Sequence, residues 1–166
     1  MSRYVEIRDQ IKTGDLLAWS GGGWSSWHDI LVKGVRVGTQ SEFAHVGVAC
    51  VLAGRVFIIE SVSSGVRLFP LSRELPFYWI KRPVPLSDKG LEWAFRHLGF
   101  EYESKLKMVW SFITGRPLNG NKRFQCTELA KAIYAEDGEA FNGPDTPSAI
   151  VKDAMAMWAP LEFVSM

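Results

Sequence analysis

Apolar positions along the chain change rhythm about halfway. Residues 16–19 form a short apolar run behind the turn Thr13-Gly14-Asp15. From 44 to 82 the apolar residues come in short runs, and 44–52, 55–62, 65–69 and 77–82 read as four strands. Short turns separate the first three, and the fourth follows Pro70 to Pro76. After Pro83 and Pro85 the period becomes helical. Asp88 is the expected cap of a helix with Leu91, Ala94, Phe95 and Leu98 on one face and Gly99 at its end. A second helix is expected over 104–113, followed by a loop over 115–123. A third starts near Cys126, carries Leu129, Ala130 and Ile133 on one face and stops at Gly138. A fourth has Thr146 as cap and Pro147 in its first turn. Earlier, Ser25 and Ser26 can cap a helix through Ile30, Leu31 and Val35. A last strand over 161–164 would close the sheet. Strands followed by helices, without regular alternation, imply an α+β fold: an antiparallel sheet packed against helices.

The length, 166 residues, fits one domain over 1–166, and 47% apolar residues suffice for one core. Charge changes little: the formal net value is +1, which gives no electrostatic case for a nucleic-acid partner. The charged, polar start shows no signal peptide, and the longest apolar run, 46–52, is too short for a transmembrane segment. The expectation is a chain made as a soluble cytoplasmic protein. The Gly-rich stretch 20–23 lacks the Lys and Ser/Thr of a phosphate loop. Seven Trp are present, and lining a groove or filling the core are both open to them.

Two cysteines and three histidines bound the chemistry. Neither Cys50 nor Cys126 lies in a Cys-x-x-Cys pair or near clustered histidines, so no metal and no cofactor is expected. Cys126 sits at the first turn of its helix, where unpaired N–H groups and the helix dipole favour a thiolate; a buried structural thiol on the apolar face is the competing reading. Cys50 lies within Val and Leu and reads as core. His97 falls inside a helix and His28 on the first helix. His45 opens a strand, with Gly47 and Ala49 on its own face and Val46, Val48 and Cys50 on the other. Those small neighbours leave room for the Cys126 helix, which is expected to pack on the His45 face. Glu60 closes an apolar run, where a carboxylate needs a partner. Taking Ala53-Gly54 as a two-residue hairpin loop puts Leu52 opposite Arg55 and Gly47 opposite Glu60, so Glu60 becomes the diagonal neighbour of His45.

In order along the chain, Thr13-Gly14-Asp15-Leu16-Leu17, Phe43-Ala44-His45-Val46-Gly47-Val48, Ile59-Glu60-Ser61, His97-Leu98-Gly99-Phe100-Glu101-Tyr102, Phe124-Gln125-Cys126-Thr127-Glu128-Leu129 and Thr146-Pro147-Ser148 resemble the motifs of one group. It is the circularly permuted branch of the NlpC-type, papain-like cysteine peptidases, the YiiX-like group. Ala44 stands where Ser is usual. In ordinary members the Cys helix precedes the His strand; the reverse order here resembles the permuted branch. The resemblance implies a Cys126 nucleophile, a His45 general base and Glu60 as the orienting group, working through a thioester acyl-enzyme. It also implies a peptide or amide substrate such as the stem peptides of cell-wall fragments, and a bacterial or phage source. Trp19, Tyr102 and Gln125 are the candidates for contact with substrate.

Two other functions stay open. Permuted relatives include lipid-processing acyltransferases, whose Asn-Cys-Glu-like motif Gln125-Cys126-Thr127 does not match, although Trp19, Trp24, Trp27 and Trp110 suit an acyl chain. The other is a non-catalytic binding protein retaining the fold, against which an intact Cys, His and Glu set argues.

Overall fold

A computed structural model describes residues 2–20, 42–102 and 123–166, with the side chains of 101, 102 and 123 excepted. The helices expected over 25–35 and 104–113 lie outside the described residues, as do Trp24, Trp27, His28 and Trp110.

Seven strands form one sheet: β1 (Ser2–Arg3), β2 (Leu16–Trp19), β3 (His45–Leu52), β4 (Arg55–Val62), β5 (Gly65–Pro70), β6 (Phe77–Ile80) and β9 (Glu162–Ser165), in the order β1-β9-β6-β2-β3-β4-β5. The architecture is α+β. The sheet is mixed rather than purely antiparallel, because β1 joins β9 in parallel. The polar N-terminal residues thus supply an edge strand that alternation over two residues could not reveal. A second, two-stranded parallel sheet joins β7 (Glu101–Tyr102) to β8 (Arg123–Phe124).

Local chemistry explains most boundaries. Ala53 and Gly54 both have positive φ, 48° and 73°, which a two-residue hairpin with the strands' twist requires, and Leu52 faces Arg55. Ser87, not Asp88, caps α2 (Asp88–Arg96): its hydroxyl accepts from the Gly90 N–H at 3.2 Å. Thr146 caps α4 (Pro147–Met157) by accepting from the Ala149 N–H at 3.3 Å. β6 stops at Ile80 rather than 82. The Arg82 N–H instead donates to the buried Asp15 carboxylate, which also accepts from the Lys12 N–H and the Trp79 indole at 2.9 and 2.8 Å. The Gly-Asp motif is thereby a structural knot joining the start of β2 to the end of β6. A Cβ at Gly14 would lie 2.8 Å from the Leu86 nitrogen, and φ there is +100°.

The sheet separates two apolar clusters. On one face Leu16, Ala18, Val46, Val48, Cys50 and Ile59 meet Leu129, Ala130 and Ile133 of α3 (Cys126–Glu136) and Ile150 and Val151 of α4. On the other, Leu17, Trp19, Ala49, Ile58 and Trp79 meet Tyr4 and Ile7 of α1 (Tyr4–Ile7), with Ile11 and Leu71. The body of α3 therefore packs on the Val46–Val48–Cys50 face, opposite the face expected from the small residues beside His45. Those larger apolar side chains are what the stripe of α3 buries against. Gly47 is small for another reason: a Cβ there would come within 2.5 Å of Ile58 Cδ1 and 3.0 Å of the Ile59 carbonyl oxygen.

Candidate functional site

The site lies where β3 begins. The β3–β4 ladder runs from Leu52↔Arg55 to Val48↔Ile59 and ends there, while β4–β5 continues to Val62↔Gly65. Carried on in register, Gly47 would face Glu60 and Val46 would face Ser61. The ladder is open at that point, and the residues leading into α3 occupy it. The Ser61 hydroxyl donates to the Phe124 carbonyl at 2.7 Å, and the Val46 N–H is among the groups that favour a thiolate at Cys126. The Ser61 bond thus holds the strand residue that leads into α3, consistent with the rule that buried polar groups find partners.

Cys126 is the first residue of α3, with Gln125 as N-cap, and the Gln125 N–H donates to Glu128 Oε2 at 2.9 Å. Cys126 is buried, and Thr127 Oγ1 lies 4.0 Å from its sulfur. The His45 imidazole and that sulfur act on each other's ionisation. The imidazole Nε2 meets Glu60 Oε2 at 2.5 Å, which leaves Nδ1 as the nitrogen for Cys126. His45 is the first residue of β3, so its ring sits at the end of that strand, between Glu60 and Trp19.

The electrostatics follow from these contacts. Burial opposes the His45 imidazolium, but the contacts with Cys126 and Glu60 outweigh it and push the ring up to about 10. Burial also opposes a Cys126 thiolate, yet His45, the Val46 N–H and Thr127 hold the thiol below its ordinary value. Both shifts favour a thiolate–imidazolium pair. Glu60 is almost fully buried; burial works against its charge, and His45 and Arg67 overcome that, so its carboxyl lies below the ordinary range.

His45 and Glu60 are therefore in direct contact, and Cys126 is near enough to shift the imidazole's ionisation. Trp19 is buried beside His45, ring centroids 5.5 Å apart, with its indole N–H donating to the Glu74 carbonyl at 2.7 Å. That makes it a support under the imidazole rather than an open groove wall. Gln125 is buried at the helix cap. Tyr102 pairs with Phe124 in the small sheet, two residues before Cys126, and its side chain lies outside the described residues. His97 is remote in role: it stacks on Trp93 at 3.8 Å, and its Nδ1 contacts the Trp93 carbonyl. Cys50 is fully buried mid-strand, and burial pushes its thiol up to about 11. Sequence reasoning missed Arg67, the direct cross-strand partner of Glu60. A signal existed, since counting outward from a Ser63-Ser64 loop also pairs these opposite charges.

No protein-family model matches the chain, and no curated protein matches it. Among solved structures it is similar to the metalloprotein yiiX from Escherichia coli O157:H7, with a TM-score of 0.58 and 20% identity over 94% of this chain and 89% of that one. The likeness is one of fold, and the α+β architecture is consistent with it. That protein is named for a metal. Here, among the described residues, no group of three or more His, Cys, Asp or Glu side chains could hold one. The Glu60 carboxylate, the obvious oxygen donor, has one oxygen on His45 and the other on Arg67. Among the described residues the donor set does not fit a metal centre. Nor is any helix among the described residues long and apolar enough to cross a membrane.

Proposed function

We propose that this protein is a cysteine hydrolase in which Cys126 is the nucleophile, His45 the acid–base group and Glu60 the residue that orients it. What supports the reading is the His45 Nε2–Glu60 Oε2 contact beside Cys126, at the start of its helix, with thiol and imidazole shifted in opposite directions by each other. A nucleophile at a helix start with an adjacent base, itself oriented by a third group, is the arrangement nucleophilic catalysis uses.

In the proposed reaction the Cys126 thiolate attacks a substrate carbonyl. The tetrahedral oxyanion is received by the Cys126 N–H at the start of α3. His45 Nδ1 gives its proton to the leaving amine as the C–N bond breaks, leaving a thioester on Cys126. Water, deprotonated by the now neutral imidazole, attacks that thioester; the carboxylic acid departs as the C–S bond breaks, and the thiolate–imidazolium pair is restored. Glu60, on Nε2, fixes the tautomer and stabilises the imidazolium throughout. The substrate class we assign is a peptide or related amide, with peptidoglycan stem peptides as the first to test.

The experiment is incubation with stem-peptide fragments and, separately, with a short-chain thioester, followed by mass spectrometry of products and of the protein. Amide cleavage with an acyl adduct on Cys126, absent from Cys126→Ala, is the expected result. Thioester turnover alone would move the substrate class to acyl chains. No adduct and no product with either would overturn the catalytic reading.

A further inference from the structure

We infer that Arg67 and Glu74 are positioning residues for His45: with Glu60 and Trp19 they close a ring of contacts that holds the imidazole in its place. The inference rests on the proposed pairing of Cys126 with His45 and deepens it.

The two oxygens of Glu60 have separate tasks. Oε2 meets His45 Nε2 at 2.5 Å, and Oε1 accepts from Arg67 Nε at 2.7 Å and lies 2.6 Å from Arg67 Nη2. A glutamate held by the imidazole alone is free to rotate about its last torsion and exchange oxygens. A planar guanidinium on the other oxygen removes that freedom, which a point-charge ammonium does less well. Arg67 is itself fixed twice, by Glu74 Oε1 at 3.0 Å from Nη2 and by the Phe69 ring beneath it at 4.1 Å. Glu74 then returns the chain to its start: its main-chain carbonyl accepts the Trp19 indole N–H at 2.7 Å, and Trp19 leans on the His45 ring. The ring thus runs His45, Glu60, Arg67, Glu74, Trp19 and back to His45.

The charges explain why Arg67 does more than fill space. The ionisable groups facing one another are His45 from β3, Glu60 from β4, Arg67 from β5, Glu74 after β5 and Cys126 from α3. Glu60 and Glu74 are both nearly fully buried, and Arg67 stands between them. Burial and the nearby Glu60 charge already push Glu74 up to about 7. Without the guanidinium the two carboxyls would face each other uncompensated. Glu60 would hold its proton to higher pH and would support the imidazolium less. A weaker imidazolium in turn leaves Cys126 a more ordinary thiol.

The test reads that last step directly. Alkylation of Cys126 by iodoacetamide is followed by peptide mapping across pH, on the full chain, for wild type, Arg67→Met, Arg67→Lys and Glu74→Gln, with thermal melting of each. Arg67→Met is expected to move the midpoint of the Cys126 curve upward by about one pH unit. Arg67→Lys should recover part of that shift, and Glu74→Gln should shift it less. An Arg67→Met protein that melts like wild type and alkylates along the wild-type curve would overturn the inference. If Arg67→Met does not fold, Arg67→Lys decides: it keeps the charge but loses the fork, and an unshifted curve overturns the inference equally. A wild-type curve with its midpoint at the ordinary thiol value would instead sink the Cys126–His45 pairing itself. A low wild-type midpoint with unmoved variants would remove only the role of Arg67 and Glu74.

Discussion

Cys50 and Cys126 line the same apolar cluster, and neither is appreciably exposed, at 0% and 8%. Their thiols nevertheless move in opposite directions. Cys50 lies in the middle of β3, opposite Phe57, and burial alone acts on it. Burial opposes a thiolate at Cys126 too, but it stands at a helix start where an imidazole, a backbone N–H and a hydroxyl favour the charged form. Burial therefore does not decide whether a thiol is inert. The charged and polar partners that reach the sulfur do, and here they reach it because a strand ladder opens beside it.

The contrast can be tested most severely by removing the sulfur. Cys126→Ala should lower turnover on whichever substrate is found by a factor on the order of 10⁴ or more, whereas Cys50→Ala should leave it unchanged. Rates of product formation by mass spectrometry check both.

The next largest effect should come from making Cys126 resemble Cys50. In wild type at pH 7, Cys126 should alkylate on the order of 100-fold faster than Cys50, and His45→Asn should abolish most of that advantage. Equal slow labelling of both thiols in folded wild-type protein would count against a reactive Cys126. The pH profile carries the same information. With Cys126 held low and His45 raised to about 10, turnover should rise through a midpoint below the ordinary thiol value. It should stay level and then fall as His45 loses the proton that the leaving group needs, near pH 10.

Glu60→Gln probes the group behind the imidazole. It keeps the shape but loses the charge, and turnover should fall about 10-fold, by analogy with loss of a histidine's outer partner, while the protein stays folded. Wild-type turnover in that variant would mean that Glu60 does not orient His45. Smallest is the effect of Cys50→Ala on the fold, about 1 kcal/mol for a small buried side chain, read from the denaturant midpoint at unchanged slope. Its labelling control should show Cys126 reacting as before.

Much of the site was legible along the chain because hairpins are local. The Ala53-Gly54 loop set the β3–β4 register, and counting outward put Glu60 within reach of His45, where the contact is found. The same arithmetic on the next hairpin would have found Arg67. The face of the sheet that receives α3 was misjudged because small residues beside His45 looked like space for a helix. That space belongs to Ile58. Trp19 looked like a groove aromatic, but packing under His45 and a bond to the Glu74 carbonyl bury it.

The residues alone carried the hairpin registers, the helix starts at Cys126 and Pro147, and the pairing of β-branched runs into a sheet, because each depends on neighbours a few positions away. Three features depend on contacts between segments far apart: the parallel addition of β1 to β9, the choice of face for α3 and the opening of the β3–β4 ladder at Val48 and Ile59. The third matters most for the chemistry. Alternation and turn rules would let that ladder run on to Val46 and Ser61. The Phe124 carbonyl instead takes the Ser61 hydroxyl beside that gap, and the imidazole and carboxylate of 45 and 60 meet there, with the sulfur of 126 acting on the imidazole's ionisation. A one-dimensional pattern has no means of scoring that exchange, because it sets a contact between segments about 60 residues apart against local pairing, and packing across the domain decides between them.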